Sequence, residues 1–416
     1  MLLSKHPNLF SPGAWPTYYS KALGCHVWDM NNTEYIDFST NGVGACSLGY
    51  CNPEVDSAVV DMIGKGVMST LNSPLEVLLA ERLVSLHPWA DKVKFARTGG
   101  EANAIAVRIA RAFSGKSKIA ICGYHGWHDW YLAANLTSND SLNQHLLDYL
   151  PVSGVPQELR TTILPFRFNN FDDLDILADA SDLAAIKMEV MRSEPPKSGY
   201  LEKIRSICDS KGIPLIFDEC TSGFRSNLGG LHLQYGVLPD LAVLGKALGN
   251  GYAITAVLGS DEVMSSISHS FISSTFWTEA IGPAAALASL DVMERISSFD
   301  ILCSTGSKVK HLWSTYASKY SIPLSVAGLD SLATFTFDID QSLLFKTYFT
   351  ERMLDFNIMA STSFYPSISH SSSDLKAYSQ ALEIVFSELS PFLDDPSQIK
   401  SKLKGPPSTP SFERLN

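Results

Sequence analysis

The fold of this chain is decided by the stretch Gly212-Ile213-Pro214-Leu215-Ile216-Phe217-Asp218-Glu219 and by a second stretch, Pro239-Asp240-Leu241-Ala242-Val243-Leu244-Gly245-Lys246. Each is a short apolar segment that ends at a charged residue, which is typical of a parallel strand buried on both faces. Open α/β sheets bind their ligands at the edge where such strands end. We therefore expect Asp218 and Lys246 to lie at one edge of a single sheet.

An aspartate and a lysine at one sheet edge suit a particular cofactor. Pyridoxal 5'-phosphate (PLP) requires a lysine amine for its Schiff base and a carboxylate beside its ring nitrogen. Taken singly, each residue also has an ordinary interpretation: Asp218 as the N-cap of a helix, and Lys246 as a solvated charge on a loop. Two further motifs favour the cofactor.

The first of these motifs is Arg97-Thr98-Gly99-Gly100-Glu101-Ala102-Asn103, which joins a predicted strand to a helix predicted over residues 100–113. A glycine-rich turn at the start of a helix exposes backbone N–H groups, and the helix dipole favours an anion there. Thr98, Gly99 and Gly100 are therefore predicted to bind a phosphate. By itself, the same turn is equally typical of an ordinary helix start.

The second motif, Gly123-Tyr124-His125-Gly126-Trp127-His128-Asp129-Trp130, follows another apolar strand. Its aromatic side chains offer a flat surface on which a conjugated ring can stack. The histidines and Asp129 do not predict a metal site, because neither an H-E-x-x-H motif nor a cysteine pair supplies a further ligand. We therefore predict no metal ion.

Predicted strands and helices alternate through the middle of the chain, which predicts an α/β fold whose large domain holds a mostly parallel, seven-stranded sheet. The predicted strands are 92–96, 118–122, 161–165, 184–190, 214–218, 242–245 and 253–258. Helical patterns near 306–320, 342–356 and 373–389 surround a strand near 332–338, which predicts a smaller α+β domain at the C-terminus. The predicted organisation is an N-terminal segment over 1–50 that packs with the small domain, a large PLP-binding domain over 51–297, the small domain over 298–403 and a mobile tail over 404–416.

The composition excludes several classes of protein. The chain has 416 residues and a net charge of −11, without a basic patch of the kind that binds nucleic acid. It has no apolar stretch long enough to span a membrane and no apolar run typical of a signal peptide. Seven scattered cysteines without a C-x-x-C pair are typical of reduced thiols. We therefore expect a cytoplasmic protein.

In order and spacing, these motifs resemble the class III PLP-dependent aminotransferases, particularly the branch that contains glutamate-1-semialdehyde 2,1-aminomutase. The resemblance extends over nearly the whole chain, and the stretches that carry it are 22–29, 34–38, 98–102, 124–126, 217–225, 244–246 and 274–276. It implies fold type I of the PLP-dependent transferases. It also implies a homodimer whose active site lies at the subunit interface, with Thr275 reaching the phosphate bound by the neighbouring subunit.

The resemblance also implies roles for single residues. Lys246 matches the lysine that forms the Schiff base, and Asp218 matches the partner of the pyridine N–H. Cys220 occupies the position that packs on the ring face opposite Tyr124. The loop of Thr98, Gly99 and Gly100 matches the phosphate loop.

The chain departs from the family at positions that bind a substrate carboxylate. Tyr18 stands where the aminomutases carry an arginine, and the C-terminal stretch 364–370 lacks the arginine of the ω-aminotransferase branches. A hydroxyl does not replace a charge-assisted bidentate pair. Trp277 and Glu279 replace small residues that usually follow the threonine. We therefore predict a neutral or hydroxylated substrate, with Tyr18, Glu194 and Trp277 as its contacts.

The leading prediction is a PLP-dependent aminotransferase that moves an amino group from an amino donor to a small aldehyde or ketone. The alternative is an aminomutase, which transfers the amino group within one molecule. A PLP-type fold without turnover is a further possibility, which the intact Lys246–Asp218 pair disfavours. A dinucleotide-binding oxidoreductase is disfavoured because Gly42-Val43-Gly44-Ala45-Cys46-Ser47 does not complete G-x-G-x-x-G.

Overall fold

The computed structural model describes residues 5–138, 140–143, 145, 150–191 and 193–409. The chain divides into two compact units. One unit is continuous, Glu54–Glu294, and is called here the central unit. The other combines the residues up to Pro53 with those from Arg295 onward, and is called here the terminal unit.

The secondary structure of the described residues is as follows. The strands are β1 (Tyr19–Leu23), β2 (His26–Asp29), β3 (Glu34–Phe38), β4 (Lys92–Ala96), β5 (Lys118–Cys122), β6 (Ile163–Pro165), β7 (Leu183–Met188), β8 (Leu215–Glu219), β9 (Leu241–Leu244), β10 (Thr255–Gly259), β11 (Leu324–Ala327), β12 (Ala333–Phe337), β13 (Ile358–Ala360) and β14 (Ser363–Phe364). The helices are α1 (Pro53–Lys65), α2 (Pro74–Leu86), α3 (Gly99–Ser114), α4 (Asp129–Leu132), α5 (Phe171–Asp179), α6 (Tyr200–Lys211), α7 (His232–Tyr235), α8 (Asp261–Met264), α9 (Ile281–Arg295), α10 (Ser298–Lys319), α11 (Ser342–Asp355) and α12 (Ser372–Leu389).

The central unit contains the predicted sheet. Its strand order is β4-β10-β9-β8-β7-β5-β6, in which β10 runs antiparallel to both of its neighbours and the other pairs are parallel. Every residue of β7, β8 and β9 is buried, as expected for parallel strands covered on both faces. The predicted mostly parallel, seven-stranded sheet is confirmed, and the bounds of β4 and β5 coincide with those predicted.

Helix α3 covers this sheet with a face of small and branched residues. Thr98 is its N-cap, and Gly115 ends the helix in the left-handed conformation. Small side chains let the helix approach the strands closely, so α3 holds its N-terminus at the edge where β4 ends. The buried residues of this face include Ala102, Ile105, Ala106, Ile109 and Ala110.

The terminal unit is built from both ends of the chain. Its four-stranded sheet has the order β1-β2-β3-β13, and β3 pairs in parallel with β13 from the C-terminal part. Three further strands form the sheet β11-β12-β14. The predicted helices and strand of this region are confirmed, although α10 begins earlier than predicted. Its buried face continues back through Val309, Thr305 and Leu302, at helical spacing.

The predicted tail over 404–416 begins within the described residues. Lys404 pairs with Asp355 at 2.6 Å. The N–H of the buried Ser408 donates to Thr347 Oγ1, and the Thr347 hydroxyl donates to Ser408 Oγ. Residues 404–409 therefore pack against α11 and its end, while 410–416 lie outside the described residues. Mobility of the tail stays a prediction. None of the helices described is long and apolar enough to cross a membrane.

Candidate active site

Asp218 lies at the carboxyl end of β8 and is 4% exposed. Its Oδ2 atom lies 2.8 Å from Nδ1 of His125, and its Oδ1 atom accepts a 3.1 Å hydrogen bond from the N–H of Cys220. Burial alone would raise the pKa of Asp218, but the Lys187 ammonium and His125 hold it well below its usual range. The carboxylate is therefore ionised at neutral pH and can accept a further hydrogen bond.

His125 orients this carboxylate as a neutral ring. Burial lowers the pKa of His125 to about 4, and the nearby Lys187 charge acts in the same direction. An ionised Asp218 has no proton to give, so Nδ1 of His125 carries the hydrogen of the shared bond. The predicted aromatic loop thus contributes a donor to Asp218, a function that the sequence analysis did not assign.

Lys187 is a second residue that the sequence analysis missed. It lies on β7, is fully buried, and has its Nζ 3.8 Å from Oδ2 of Asp218. Burial lowers the pKa of Lys187, and the nearby Asp218 opposes that effect. The sequence signal for it was a single lysine inside an otherwise apolar strand. An unpaired charge is strongly disfavoured there, so such a lysine indicates a buried partner.

The residue after Asp218 fixes the loop that follows. Glu219 is fully buried and accepts hydrogen bonds from the N–H groups of Leu231 and His232 and, at 2.5 Å, from His232 Nδ1. Trp89 donates to His232 Nε2 at 2.8 Å, and an indole is only a donor, so Nδ1 of His232 carries the hydrogen. The loop between Glu219 and Leu231 is therefore held at both ends.

That loop positions Lys246. The Lys246 amine donates a 2.8 Å hydrogen bond to Oγ1 of Thr221, whose carbonyl accepts from Arg225 at 2.6 Å. Lys246 begins a short 3₁₀ turn directly after β9 and adopts a φ of +43°. This conformation is unusual for a residue with a side chain, and such strain is common where geometry serves a site. Because β8 and β9 are neighbours, Asp218 and Lys246 share one sheet edge, as predicted.

Cys220 lies between two glycine positions at this edge. A β-carbon added at Gly99 would lie 3.4 Å from Sγ of Cys220, and one added at Gly245 would lie 3.3 Å from it. The start of α3 and the end of β9 therefore approach each other across Cys220. Burial raises the pKa of the Cys220 thiol well above its usual value, so this side chain is neutral at the sheet edge.

The predicted phosphate loop is a fully formed helix N-terminus. Thr98 and Glu101 form a capping box, in which each side chain accepts a hydrogen bond from the other residue's backbone N–H. The N–H groups of Gly99 and Gly100 belong to the first turn, where a helix supplies no acceptor. Gly126 (φ +103°) packs on Gly100, since an added β-carbon would lie 3.1 Å from the Gly100 Cα. The glycine of the aromatic motif thus shapes this loop.

The remaining predicted residues lie as follows. The Tyr124 N–H donates to Glu189 at 3.1 Å, and its ring meets Tyr131 edge to face. Thr275 is exposed at the start of a 3₁₀ turn, and Trp277 in the same turn lies near Lys94.

Glu194 is exposed and accepts a hydrogen bond from Asn169. Tyr18 is 68% exposed in the terminal unit. The substrate roles of Tyr18, Glu194 and Trp277 stay predictions.

Two charged residues near the site have structural partners. Arg97 donates to the Glu279 carbonyl at 2.5 Å and pairs with its carboxylate at 3.4 Å. Glu279 also accepts from the N–H of Ile281 at the start of α9. Glu279 therefore fastens the turn that carries Thr275. Arg192 lies outside the described residues.

The ligand-type side chains that gather elsewhere have other partners. Cys25, His26 and Asp374 of the terminal unit lie within 4.8 Å of one another through their ligand atoms. The Cys25 thiol donates to Asp374, and Asp374 also completes a capping box with Ser371 at the start of α12. Cys25 and Asp374 therefore take part in hydrogen bonds within the protein, and the absence of a metal ion from the function stays a prediction.

A family model described as "Aminotransferase class-III" matches residues 11–351. The chain belongs to the class III aminotransferases. The 3-aminobutyryl-CoA aminotransferase of Cloacimonas acidaminovorans is 33% identical to this aminotransferase over 357 residues, which are 83% of this chain and 82% of the relative. The glutamate-1-semialdehyde 2,1-aminomutase of Ignicoccus hospitalis is 35% identical over 307 residues, 71% of each chain.

A solved structure confirms the fold type of the aminotransferase. The FumI protein of Sphingopyxis sp. MTA144, in its PLP internal aldimine form, superposes with a TM-score of 0.86 at 23% identity. The match covers 95% of this chain and 94% of that one. The predicted fold type I and the predicted family are therefore confirmed.

The cofactor of this aminotransferase is PLP, and its residues fit that group. The ionised, buried Asp218 can accept from a protonated ring nitrogen, and the start of α3 offers N–H groups to a phosphate. Lys246 supplies an amine at the same sheet edge. The donors and acceptors of the site thus match the three polar parts of the cofactor.

Proposed function

We propose that Lys246 and Asp218 are the two catalytic residues of this transaminase and that Thr98, Gly99 and Gly100 bind the cofactor phosphate. Tyr124 and Cys220 pack on the cofactor ring. The observation that supports the proposal most strongly is the ionised Asp218 at the end of β8, beside the strand that delivers Lys246. Asp218 faces donors from His125 and Cys220, so its orientation is fixed before any ligand binds.

In this mechanism, the protein holds and moves protons around a bound cofactor. When bound, PLP supplies an electron sink for the carbon that loses its proton. Asp218 holds a proton on the ring nitrogen by its negative charge. Lys246 Nζ would hold the cofactor, and its amine, when free, would take and return the proton of the substrate carbon as a general base and acid. Thr221 Oγ1 orients that amine.

We propose that the amino group moves between a primary amine without a nearby free carboxylate and a small aldehyde or ketone. The reason lies in the sequence, because Tyr18 and the stretch 364–370 supply no arginine for a carboxylate. A relative named 3-aminobutyryl-CoA aminotransferase is consistent with this proposal, because the substrate in its name carries a thioester in place of a free carboxylate.

The test compares amines that differ only in the carboxylate. We expect 3-aminobutyramide and 3-aminobutyryl-CoA to bleach the visible absorption of the purified holoenzyme at least about tenfold faster than free 3-aminobutyrate, because neither Tyr18 nor the stretch 364–370 supplies an arginine to balance the free acid. L-Glutamate and L-alanine serve as further carboxylate donors. Equal or faster bleaching by the free acid would contradict the proposed substrate class.

The aminomutase alternative is supported by the similarity to glutamate-1-semialdehyde 2,1-aminomutase. It differs from the leading proposal in its need for a second substrate. An amino aldehyde incubated with holoenzyme, without any other amine, separates the two. Formation of the positional isomer at the rate of overall turnover would favour the aminomutase. Formation of a dicarbonyl product together with an aminated acceptor, once a carbonyl acceptor is added, would favour the transaminase.

We propose further that the enzyme is a homodimer and that Thr275 contributes to the site of the neighbouring subunit. Thr275 is exposed in the single chain, and the apolar side chains Phe271 and Phe276 nearby are 85% and 67% exposed. Large exposed apolar groups beside a polar residue are typical of an interface.

Mixing two inactive variants tests the shared site. Lys246→Ala lacks the amine, and Thr275→Asp repels a phosphate. If Thr275 serves the neighbouring site, random exchange of subunits gives mixed dimers with one complete site, and we expect about a quarter of the wild-type activity to return. Thr278→Asp, in the same turn, is the matched control and should stay active. Co-purifying mixed dimers without activity would contradict the proposal.

We also propose a cytoplasmic location. None of the seven cysteines, all of which lie within the described residues, forms a disulfide, and Cys51 is exposed. Thiols that form no disulfide persist in reducing compartments. This argument supports the location that the scattered cysteines predicted.

A further inference from the structure

Lys187 is a buried charge whose position the reaction described above does not explain. Its side chain is 0% exposed, and its Nζ has no hydrogen-bond partner among the described residues. The nearest acidic oxygen is Oδ2 of Asp218, at 3.8 Å. Buried charges are retained at considerable cost unless they are paired. The lysine therefore depends on the Asp218 carboxylate.

The other charged or titratable groups around Lys187 leave Asp218 as its main partner. Glu189, two residues further along the chain, uses Oε2 to accept the Tyr124 N–H at 3.1 Å. Cys220 is a protonated thiol, because burial raises its pKa. His125 is neutral and already donates to Asp218. Thus Asp218 receives one ammonium from β7 before any ligand is bound.

We propose that Lys187 is a positioning residue that shares the Asp218 carboxylate with the ring nitrogen of PLP and thereby weakens protonation of that nitrogen. This inference rests on the proposed role of Asp218. One carboxylate then faces two cations, and each reduces its attraction for the other. The Lys187 ammonium also repels a protonated ring nitrogen, which further weakens protonation of that nitrogen. Lys187 therefore sets how strongly the site protonates the ring.

A purely structural role for Lys187 and the proposed positioning role predict different changes in the protonation of the ring nitrogen when Lys187 is removed. If Lys187 only filled space or stabilised the strand, its removal would leave the ring nitrogen unchanged. If Lys187 shares the carboxylate, its removal leaves the Asp218 carboxylate to interact with the ring nitrogen alone. The proton then binds more tightly to the ring nitrogen, although the protein has lost a charged group from the site.

The experiment uses holoenzyme loaded with PLP that carries ¹⁵N at the ring nitrogen, whose chemical shift reports protonation. We expect the wild-type resonance at neutral pH to lie between the protonated and unprotonated positions. Lys187→Met should move it toward the protonated position and lower the Kd for PLP about tenfold, as for one unit in the pKa of the ring nitrogen. Lys346→Met makes the same change in the terminal unit and should move neither quantity.

Asp218→Asn separates this inference from the proposed function. It should move the resonance toward the unprotonated position. If it does so while Lys187→Met leaves the resonance unchanged, the Lys187 inference is wrong and the role of Asp218 stands. If Asp218→Asn has no effect, the proposed role of Asp218 is wrong as well. If Lys187→Met does not fold, the wild-type resonance decides: a fully protonated value overturns the inference, and an intermediate value supports it.

Discussion

Lys246→Ala is expected to reduce transamination at least about a thousandfold, the largest loss of any single substitution in this site. In the proposed mechanism, the amine is both the covalent anchor of the cofactor and the group that moves the proton, and general acid–base catalysis alone contributes about 10²–10⁴-fold. Because Asp218 and the start of α3 remain, we expect PLP to bind without covalent attachment. Steady-state rates and mass spectrometry of the borohydride-reduced protein measure the two effects.

The matched control for this prediction is Lys211→Ala. Lys211 is also half-buried and also donates one hydrogen bond, to the carbonyl of Ala180 at 2.9 Å, but it lies at the end of α6. Its removal should leave the rate within a factor of about two, as for most substitutions away from a site. Substantial turnover by Lys246→Ala, in protein shown to be free of wild-type enzyme, would refute the assignment of the catalytic lysine.

Asp218→Asn is expected to weaken PLP binding about 10²–10³-fold and to slow the chemical step severely. Removing one member of a buried ion pair costs about 3–5 kcal/mol, and the amide can no longer hold a proton on the ring nitrogen. The same substitution leaves the Lys187 ammonium buried without its anion, so the apoenzyme should also unfold at a lower temperature. Equilibrium titration with PLP and thermal unfolding measure these effects separately.

Two further variants separate catalysis from stability. In the double variant Asp218→Asn/Lys187→Met, the unfolding temperature should recover because no unpaired charge remains, while the rate stays low. Asp240→Asn is the matched control, because Asp240 precedes β9 at the opposite edge of the sheet and accepts from the Leu215 N–H at 2.7 Å. A near-wild-type rate for Asp218→Asn would remove the electron-sink argument.

The sequence predicts the central sheet well because the physical signal is local. Buried parallel strands are short apolar runs, and each run ends at the residue where the chain reaches solvent or a ligand. Asp218 and Lys246 lie at the ends of two such runs. Because the two strands are parallel neighbours, both residues lie at the same edge of the sheet. The turn at Thr98 and Gly99 is also a local signal, because helix starts require polar caps.

The parts of the site that escape prediction depend on contacts between distant segments. The bond between His125 and Asp218 joins a loop to the end of β8, and nothing near either residue in the sequence specifies the other. The pairing of Arg97 with Glu279 is another example, since the sequence showed only that Glu279 replaces a small residue, whereas the structure shows that it fastens a turn. Lys187 was visible as an anomaly in an apolar strand, but its partner was not.

The pairing of β3 with β13 has a consequence for the order in which the protein forms. Ile36 lies beside Ile358 in this sheet. During synthesis, β3 therefore cannot pair with β13 until the ribosome has added residue 358 and its neighbours. At about 5–20 residues per second, that wait is on the order of tens of seconds. The continuous segment Glu54–Glu294 is complete well before then. We expect the segment that carries Asp218 and Lys246 to fold first, while β3 remains without its parallel partner until β13 has been synthesised.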